Sequence, residues 1–270
     1  MCIPMQITFS SCFYIIKSKF DANQYLQWLS NLVYIANNFN LVIYTDEYTF
    51  KFIDTKNKPN IKVVIRPLEH FYLYKYKDQW ISNHKNNHLL KDRIEWSVNM
   101  LWSEKLWFVN ETIKQEYFDT EFHGYCDIGY FRGSVRDTPI NQLRQWPSDN
   151  KILSIDKNKI HYARVNNDMN FINYLFGLIN TKNTIGLPVN KIPDDQVSIA
   201  GGFFLIHREK INWWCETYET KLKLYFENDY LVKDDQIIII DCIFSNMKHF
   251  KLHEESSWYD NWFMFQRLLS

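Results

Sequence analysis

The chain has no excess of either charge: 31 Lys and Arg face 31 Asp and Glu, so its formal net charge is zero. A protein that grips nucleic acid through its phosphates carries a basic excess, and none is present. Paired cysteines are missing as well. Cys2, Cys12, Cys126, Cys215 and Cys242 are odd in number, scattered, and without a C-x-x-C spacing. That excludes a disulfide framework and a structural zinc site, and points to a reducing compartment. The first residues show no basic region followed by an apolar core and a small-residue cleavage site. No apolar run nears the roughly 18 residues needed to cross a bilayer. The expectation is a soluble, cytoplasmic protein with no membrane span. There is no internal repeat and no linker that would divide the chain.

What is present is apolar bulk. The 270 residues are 46% hydrophobic, with 20 Phe, 17 Tyr and 10 Trp, ample for the core of one large α/β domain. Lys far outnumbers Arg and Asn is abundant, the mark of a nucleotide-composition bias. Asn clusters such as Asn86-Asn87 and Asn166-Asn167 therefore receive no functional weight.

Periodicity predicts strand, helix, strand from the start. Gln6–Phe9 reads as a strand closed by the polar turn Ser10-Ser11. Asp21, with Gln24 three residues on, opens a helix to about Asn37. Residues 41–45 form a continuous apolar strand ending at Asp46, and residues 61–65 another ending at Arg66-Pro67. Apolar runs without alternation are the pattern of a buried parallel sheet. Phe71–Trp80 reads as helical and the Asn/His-rich stretch to His88 as a loop. The strongest helical pattern runs from about Leu90 to Gln115, and at about 100° per residue Lys105 falls within its apolar stripe. Either its stem packs while the ammonium snorkels out, or it points into a polar cleft towards an anion. Further on, Pro139–Gln145 reads as a short helix and Lys151–Ile155 as a strand. Residues 157–195 read as an irregular excursion around 169–179. Ala200–Ile206 is a strand preceding a helix from Arg208 to about Phe226. Residues 237–240, after Asp234-Asp235-Gln236, fit a helix or a strand. His249–His253 reads as a short strand, followed by an aromatic helix from Trp258 to Leu269.

The chemistry concentrates in the stretch from Phe122 to Arg132. A mostly apolar run ends in Asp127, Gly129 removes a side chain, and Arg132 supplies a cation. In open α/β sheets ligands sit at the carboxyl ends of strands, although Asp and Gly are also ordinary turn residues. Gly201 and Gly202 suit close approach of a backbone or ligand. One of Asp234 and Asp235 suffices to cap a helix, which leaves the other, or Gln236, free for a substrate. Arg66 and Arg132 are candidate bidentate phosphate donors, or partners in salt bridges.

Three ordered blocks carry a resemblance. The helix bearing Trp102 and Lys105 leads into Asp127-Ile128-Gly129; Ala200-Gly-Gly-Phe-Phe204 follows; then come Asp234-Asp235-Gln236 and, near the end, Trp262-Phe263. Together they span about Leu90 to Ser270, and in order and spacing the chain resembles the HtrL/YibB family of glycosyltransferase-like proteins. A looser similarity exists to retaining transferases of the glycogenin type. The resemblance implies a single GT-A-like domain over residues 1–270: α/β, a Rossmann-related, mostly parallel sheet flanked by helices. It implies a nucleotide-sugar donor, UDP- or GDP-linked, and a glycan, protein or small acceptor. Ser10, Ser11 and Asp46 then fall where such proteins place base and ribose. Lys105, Asp127, Gly129, Arg132, Gly201 and Gly202 fall at the donor.

GT-A enzymes hold Mn²⁺ or Mg²⁺ through an Asp-x-Asp pair. Here the first acid is Asp127 and the second position is Gly129, so other metal ligands are sought in His249 and His253, four residues apart. Asp235 is the candidate base if the transfer inverts, or the residue that positions the acceptor if it retains, with Asp234 and Gln236 beside it. The similar Pro193-Asp194-Asp195-Gln196 is the second choice. Two other functions fit the same residues: a carbohydrate- or nucleotide-binding module without turnover, and a metal-dependent nucleotidyltransferase or phosphohydrolase.

Overall fold

A computed structural model describes residues 5–256 and 258–270. Seven strands build one sheet: β1 (Ile7–Cys12), β2 (Asn40–Thr45), β3 (Ile61–Ile65), β4 (Phe122–Cys126), β5 (Ile160–Ala163), β6 (Phe203–His207) and β7 (Phe250–His253). Their spatial order is β3-β2-β1-β4-β6-β5-β7. The neighbours β3-β2, β2-β1, β1-β4 and β5-β7 are parallel, whereas β6 is antiparallel to both β4 and β5. Among the described residues ten α-helices accompany them: α1 (Ala22–Ile35), α2 (Glu47–Phe50), α3 (Lys77–Asn86), α4 (Trp96–Ser103), α5 (Lys105–Lys114), α6 (Asp149–Leu153), α7 (Met169–Asn180), α8 (Ile211–Glu227), α9 (Asp235–Ser245) and α10 (Phe265–Leu268).

The period-two geometry of strands sorts the side chains into two cores. Ile7 and Phe9 of β1, Leu41 and Ile43 of β2, and Phe203 and Leu205 of β6 face the cluster containing α1 and α10. Cys12, Val42, Tyr44, Tyr125, Phe204 and Ile206 face the opposite cluster, with α5, α8 and α9. Both faces are thus covered, which is why the strands read as continuous apolar runs. Full burial of each large side chain contributes roughly 1.5–3 kcal/mol. Both cores rest on one sheet, so the chain forms a single α/β domain.

Several sequence expectations change. β1 runs on to Cys12, so Ser10 and Ser11 are buried strand residues and not a turn. The Asn/His-rich stretch expected as a loop is largely α3, anchored by buried Trp80 and Asn83. The long helix begins only at Trp96 and has Glu104 at the α4–α5 junction. There the Glu104 carboxylate accepts hydrogen bonds from the backbone of Tyr72 and Leu73, at 2.7 and 3.0 Å. Residues 151–155 are not a strand; most lie in α6, where only Ile152 is buried. The excursion over residues 157–195 hides β5 and α7. Residues 237–240 are helical, within α9. The expected capping at Asp21 is present: its carboxylate accepts from the Gln24 backbone at 3.0 Å.

Gly124 lies where β4 passes β6. A Cβ there would stand 2.3 Å from the Phe204 carbonyl oxygen and 3.0 Å from the Phe9 ring, so the sheet tolerates no side chain. Gly177 on α7 has nothing within 4 Å of such an atom. Gly124→Ala is expected to destabilise the fold by about 3 kcal/mol or more through overpacking. Gly177→Ala is expected to stabilise it by about 0.5–1 kcal/mol through helix propensity. Urea denaturation midpoints of the two variants check both signs.

Candidate active site

The order of the strands reverses at β1: β2 and β3 lie on one side of it and β4 on the other. The crevice outside the carboxyl ends of β1 and β4 is therefore a topological switch point, where open α/β sheets bind ligands. A cavity of about 440 Å³ opens there. Because β6 runs backwards, its first residues, not its last, reach this edge: Phe203 pairs with Cys126 at the end of β4. Gly201 and Gly202 are thereby brought into the cavity floor beside Asp127.

Asp127 is held by two backbone bonds. Its amide donates to the Gly202 carbonyl at 2.9 Å, and its carboxylate accepts from the Gly129 amide at 2.8 Å. A Cβ on Gly129 would meet the Trp28 ring at 3.0 Å, so a side chain at the position of the expected second acid would have to push that ring aside. Arg132 donates through Nε to the Gly129 carbonyl at 2.8 Å and lies over the Trp28 ring at 4.5 Å. It forms no salt bridge among the described residues.

Across the two glycines sits a buried ion pair. Lys105 Nζ lies 2.8 Å from Asp235 Oδ2 and donates to the Gly201 carbonyl at 2.9 Å, with the Tyr125 ring at 5.5 Å. Lys105 thus points inward and does not snorkel; both side chains are under a tenth exposed. A Cβ on Gly201 would be 2.9 Å from the Asp235 carboxylate, which is why glycine stands there. Asp234 caps α9, accepting from the Gln236 amide at 3.2 Å, and pairs with Lys233 at 3.1 Å. The cap is supplied by the first acid, and the second is turned into the cavity. Gln236 also lines it.

Burial raises the Asp235 carboxyl to about 6, with Asp234 adding to the rise and Lys105 opposing it. A folded value above the ordinary carboxylate range means that ionisation of Asp235 costs stability, lost as pH rises from about 4 to 6. The Lys105 ammonium is favoured by Asp235 and Asp127 against its own desolvation, so above about pH 6 the two form a true ion pair.

Three asparagines hold the segment that leads to these acids. Asn83 Nδ2 donates to the Val232 carbonyl and Asn83 Oδ1 accepts from the Val232 amide, both at 2.8 Å. Asn99 donates to the same carbonyl at 2.9 Å, and Asn87 to the Lys233 carbonyl at 3.0 Å. All three are buried. Asn87, which receives no functional weight on composition, has a structural task here: its buried amide satisfies a backbone carbonyl that would otherwise be stranded.

Nine sequence candidates meet in this cavity: Lys105, Asp127, Gly129, Arg132, Gly201, Gly202, Asp234, Asp235 and Gln236. Six do not line it. Ser10 bonds to Thr112 Oγ1 at 2.8 Å beneath α5, and Ser11 is fully buried in β1. Asp46 caps α2, accepting from Thr49 at 2.6 Å. Arg66 pairs with Glu111 at 3.3 Å. His249 lies against Trp213, ring centroids 4.2 Å apart, and His253 bonds to His161 at 2.9 Å. His249 lies just before β7 and His253 ends it, and the extended chain between them separates the two by roughly 13 Å. They cannot join Asp127 on one ion. Among the described residues no group of three or more His, Cys, Asp or Glu is placed to hold a metal. Pro193 to Gln196 also lies outside the cavity lining.

The sequence reading missed Lys19, Phe20, Tyr25 and Asp260, which line the same cavity. The rule that finds ligands at strand ends points to the first three once β1 is extended to Cys12. A scan against protein-family models gives no match, and no curated protein matches the chain significantly. No helix among the described residues is long and apolar enough to cross a membrane.

Removing one partner of a buried ion pair strands the other charge, at a cost of about 3–5 kcal/mol. Lys105→Met, which leaves a buried carboxylate without its cation, is expected to destabilise the fold by an amount approaching that range, whereas Asp235→Asn, which resembles the protonated acid, is expected to cost less. The double variant is expected to cost clearly less than the sum of the two. Urea unfolding of the three variants, compared as a double-mutant cycle, measures the coupling.

Proposed function

We propose that the protein is a glycosyltransferase that moves a sugar from a nucleotide-sugar donor to a glycan, protein or small acceptor. The observation that carries this reading is the pairing of two separately held acids, Asp127 and Asp235, on either side of Gly201-Gly202 in a cavity at the switch point of the sheet. The cavity volume lies within the 300–1,000 Å³ range of small-molecule sites. The reading also draws on the resemblance to the HtrL/YibB family and its GT-A-like fold.

In this reading the acceptor oxygen bonds to the anomeric carbon while the bond from that carbon to the phosphate oxygen breaks. The electron pair leaves with the nucleoside diphosphate, and in an inverting transfer the acceptor proton passes to Asp235. A carboxyl raised towards neutrality is suited to that task, because a base works best with a pKa near the working pH. Lys105, bonded to Asp235 at 2.8 Å, orients that carboxylate.

A divalent cation fits in one manner only. Mg²⁺ is commonly bound by one or two carboxylates with phosphate and water completing its shell. Asp127 offers such a carboxylate, and Gly129, packed against Trp28, offers none. Bound there, Mg²⁺ or Mn²⁺ would supply neutralisation of the diphosphate.

Incubation with a panel of UDP- and GDP-sugars and Mn²⁺, assayed for nucleoside diphosphate release, tests the reading. Release abolished by Asp127→Ala is the expected result, and failure of every sugar nucleotide to bind would sink the proposal. Sugar binding without turnover would identify a binding module instead, and release of pyrophosphate or monophosphate would identify phosphoryl chemistry. Turnover is also expected to fall as pH drops through about 6, where Asp235 takes up a proton. Asp234→Asn keeps the helix cap but removes a negative neighbour, so it should move that acid limb to lower pH. An unmoved limb would remove Asp235 from the base role.

A further inference from the structure

Three cations line the cavity: Lys19, Lys105 and Arg132. Lys105 is already committed to Asp235 and the Gly201 carbonyl. Lys19 and Arg132 differ from it, since neither has a carboxylate within 4.0 Å among the described residues. Each rests on aromatic faces instead. Lys19 Nζ lies 4.5 Å from the Trp102 ring centre. The Arg132 guanidinium lies 4.5 Å from Trp28, 5.3 Å from Phe263 and 5.4 Å from Phe20.

An aromatic ring orients a cation through its quadrupole but carries no net charge. The two side chains are therefore positioned by the protein without a carboxylate in contact, Asp234 and Asp235 acting on Lys19 only from farther off. Arg132 spends only Nε on the protein, at the Gly129 carbonyl, which leaves its two terminal nitrogens to form a bidentate fork. Phe20 follows Lys19 in the chain and touches Arg132, so both cations belong to one wall. That wall is braced by edge-to-face contacts of Phe20 with Trp28 at 5.0 Å and with Tyr25 at 5.9 Å.

We infer that Lys19 and Arg132 form a preset seat for a diphosphate, the group shared by a sugar-nucleotide donor and its nucleoside diphosphate product. The inference rests on the transferase reading for the identity of the ligand, but the seat itself is defined by its charge and is testable without turnover. A single phosphate engages the two cations less completely than a diphosphate does. A nucleoside without phosphates does not engage them.

Calorimetric titrations of the wild type, Lys19→Met, Arg132→Met and Arg132→Lys with inorganic pyrophosphate, inorganic phosphate, UDP, GDP, uridine and guanosine test this. Circular dichroism melts control for folding. Pyrophosphate and at least one nucleoside diphosphate are expected to bind the wild type more tightly than phosphate, and to lose about tenfold in affinity in each Met variant. Arg132→Lys should retain the charge but lose part of the affinity, because it lacks the stacked fork. Failure of pyrophosphate to bind the wild type, or equal binding by both Met variants, overturns the seat. If the seat is confirmed while no sugar nucleotide is turned over, the transferase reading fails and the diphosphate site stands.

Discussion

The ion pair between Lys105 and Asp235 organises this cavity. It joins the first residue of α5 to the first residue of α9 through the Gly201 carbonyl. A buried ammonium and a buried carboxylate are each unfavourable alone, and their attraction offsets desolvation only in a fixed geometry. The surroundings supply that geometry. Gly201 leaves room for the carboxylate, Tyr125 lies beneath the ammonium, and three asparagines clamp the backbone just before the acids. A charge pair so closely held contributes little to stability, since burial lifts the Asp235 carboxyl to about 6. What it contributes is a carboxylate fixed in place and close to neutrality.

The reversed strand has the largest consequence for the site. Had β6 run parallel to β4, its end and not its beginning would face the ligand edge, and Gly201-Gly202 would lie on the far side of the sheet. The reversal puts a backbone without side chains between Asp127 and Asp235 in the lining of the cavity. Around that cavity the cations fall into two kinds. Lys105 is neutralised within the protein, whereas Lys19 and Arg132 are held by aromatic rings without a carboxylate in contact.

Much of the site was legible in the chain because its parts are local. Asp127 and Gly129 follow an apolar run, Lys105 lies on the apolar stripe of a helix, and Asp234-Asp235 precede one. The failures have physical causes too. Ser10 and Ser11 look like a turn because hydroxyls are common there, but in β1 the Ser10 hydroxyl finds a partner on α5. His249 and His253 share a spacing, but one precedes β7 and the other ends it, each against its own aromatic or imidazole neighbour. Lys19 belongs to no motif and lies in the connection between β1 and α1. Asn83, Asn87 and Asn99 carry no local signal at all, since their partners lie more than 130 residues away.

Local periodicity carries three features: buried strands covered by helices, a lysine within the apolar stripe of a helix, and an acid after the apolar run of β4. Those follow from the geometry of single elements, for which the side chains of a short stretch suffice. Tertiary structure decided the direction of β6, which acid caps α9 and which enters the cavity, and which cations are neutralised. Each of these depends on a partner distant in the chain, and the burial of a charge is settled only when both partners are brought together.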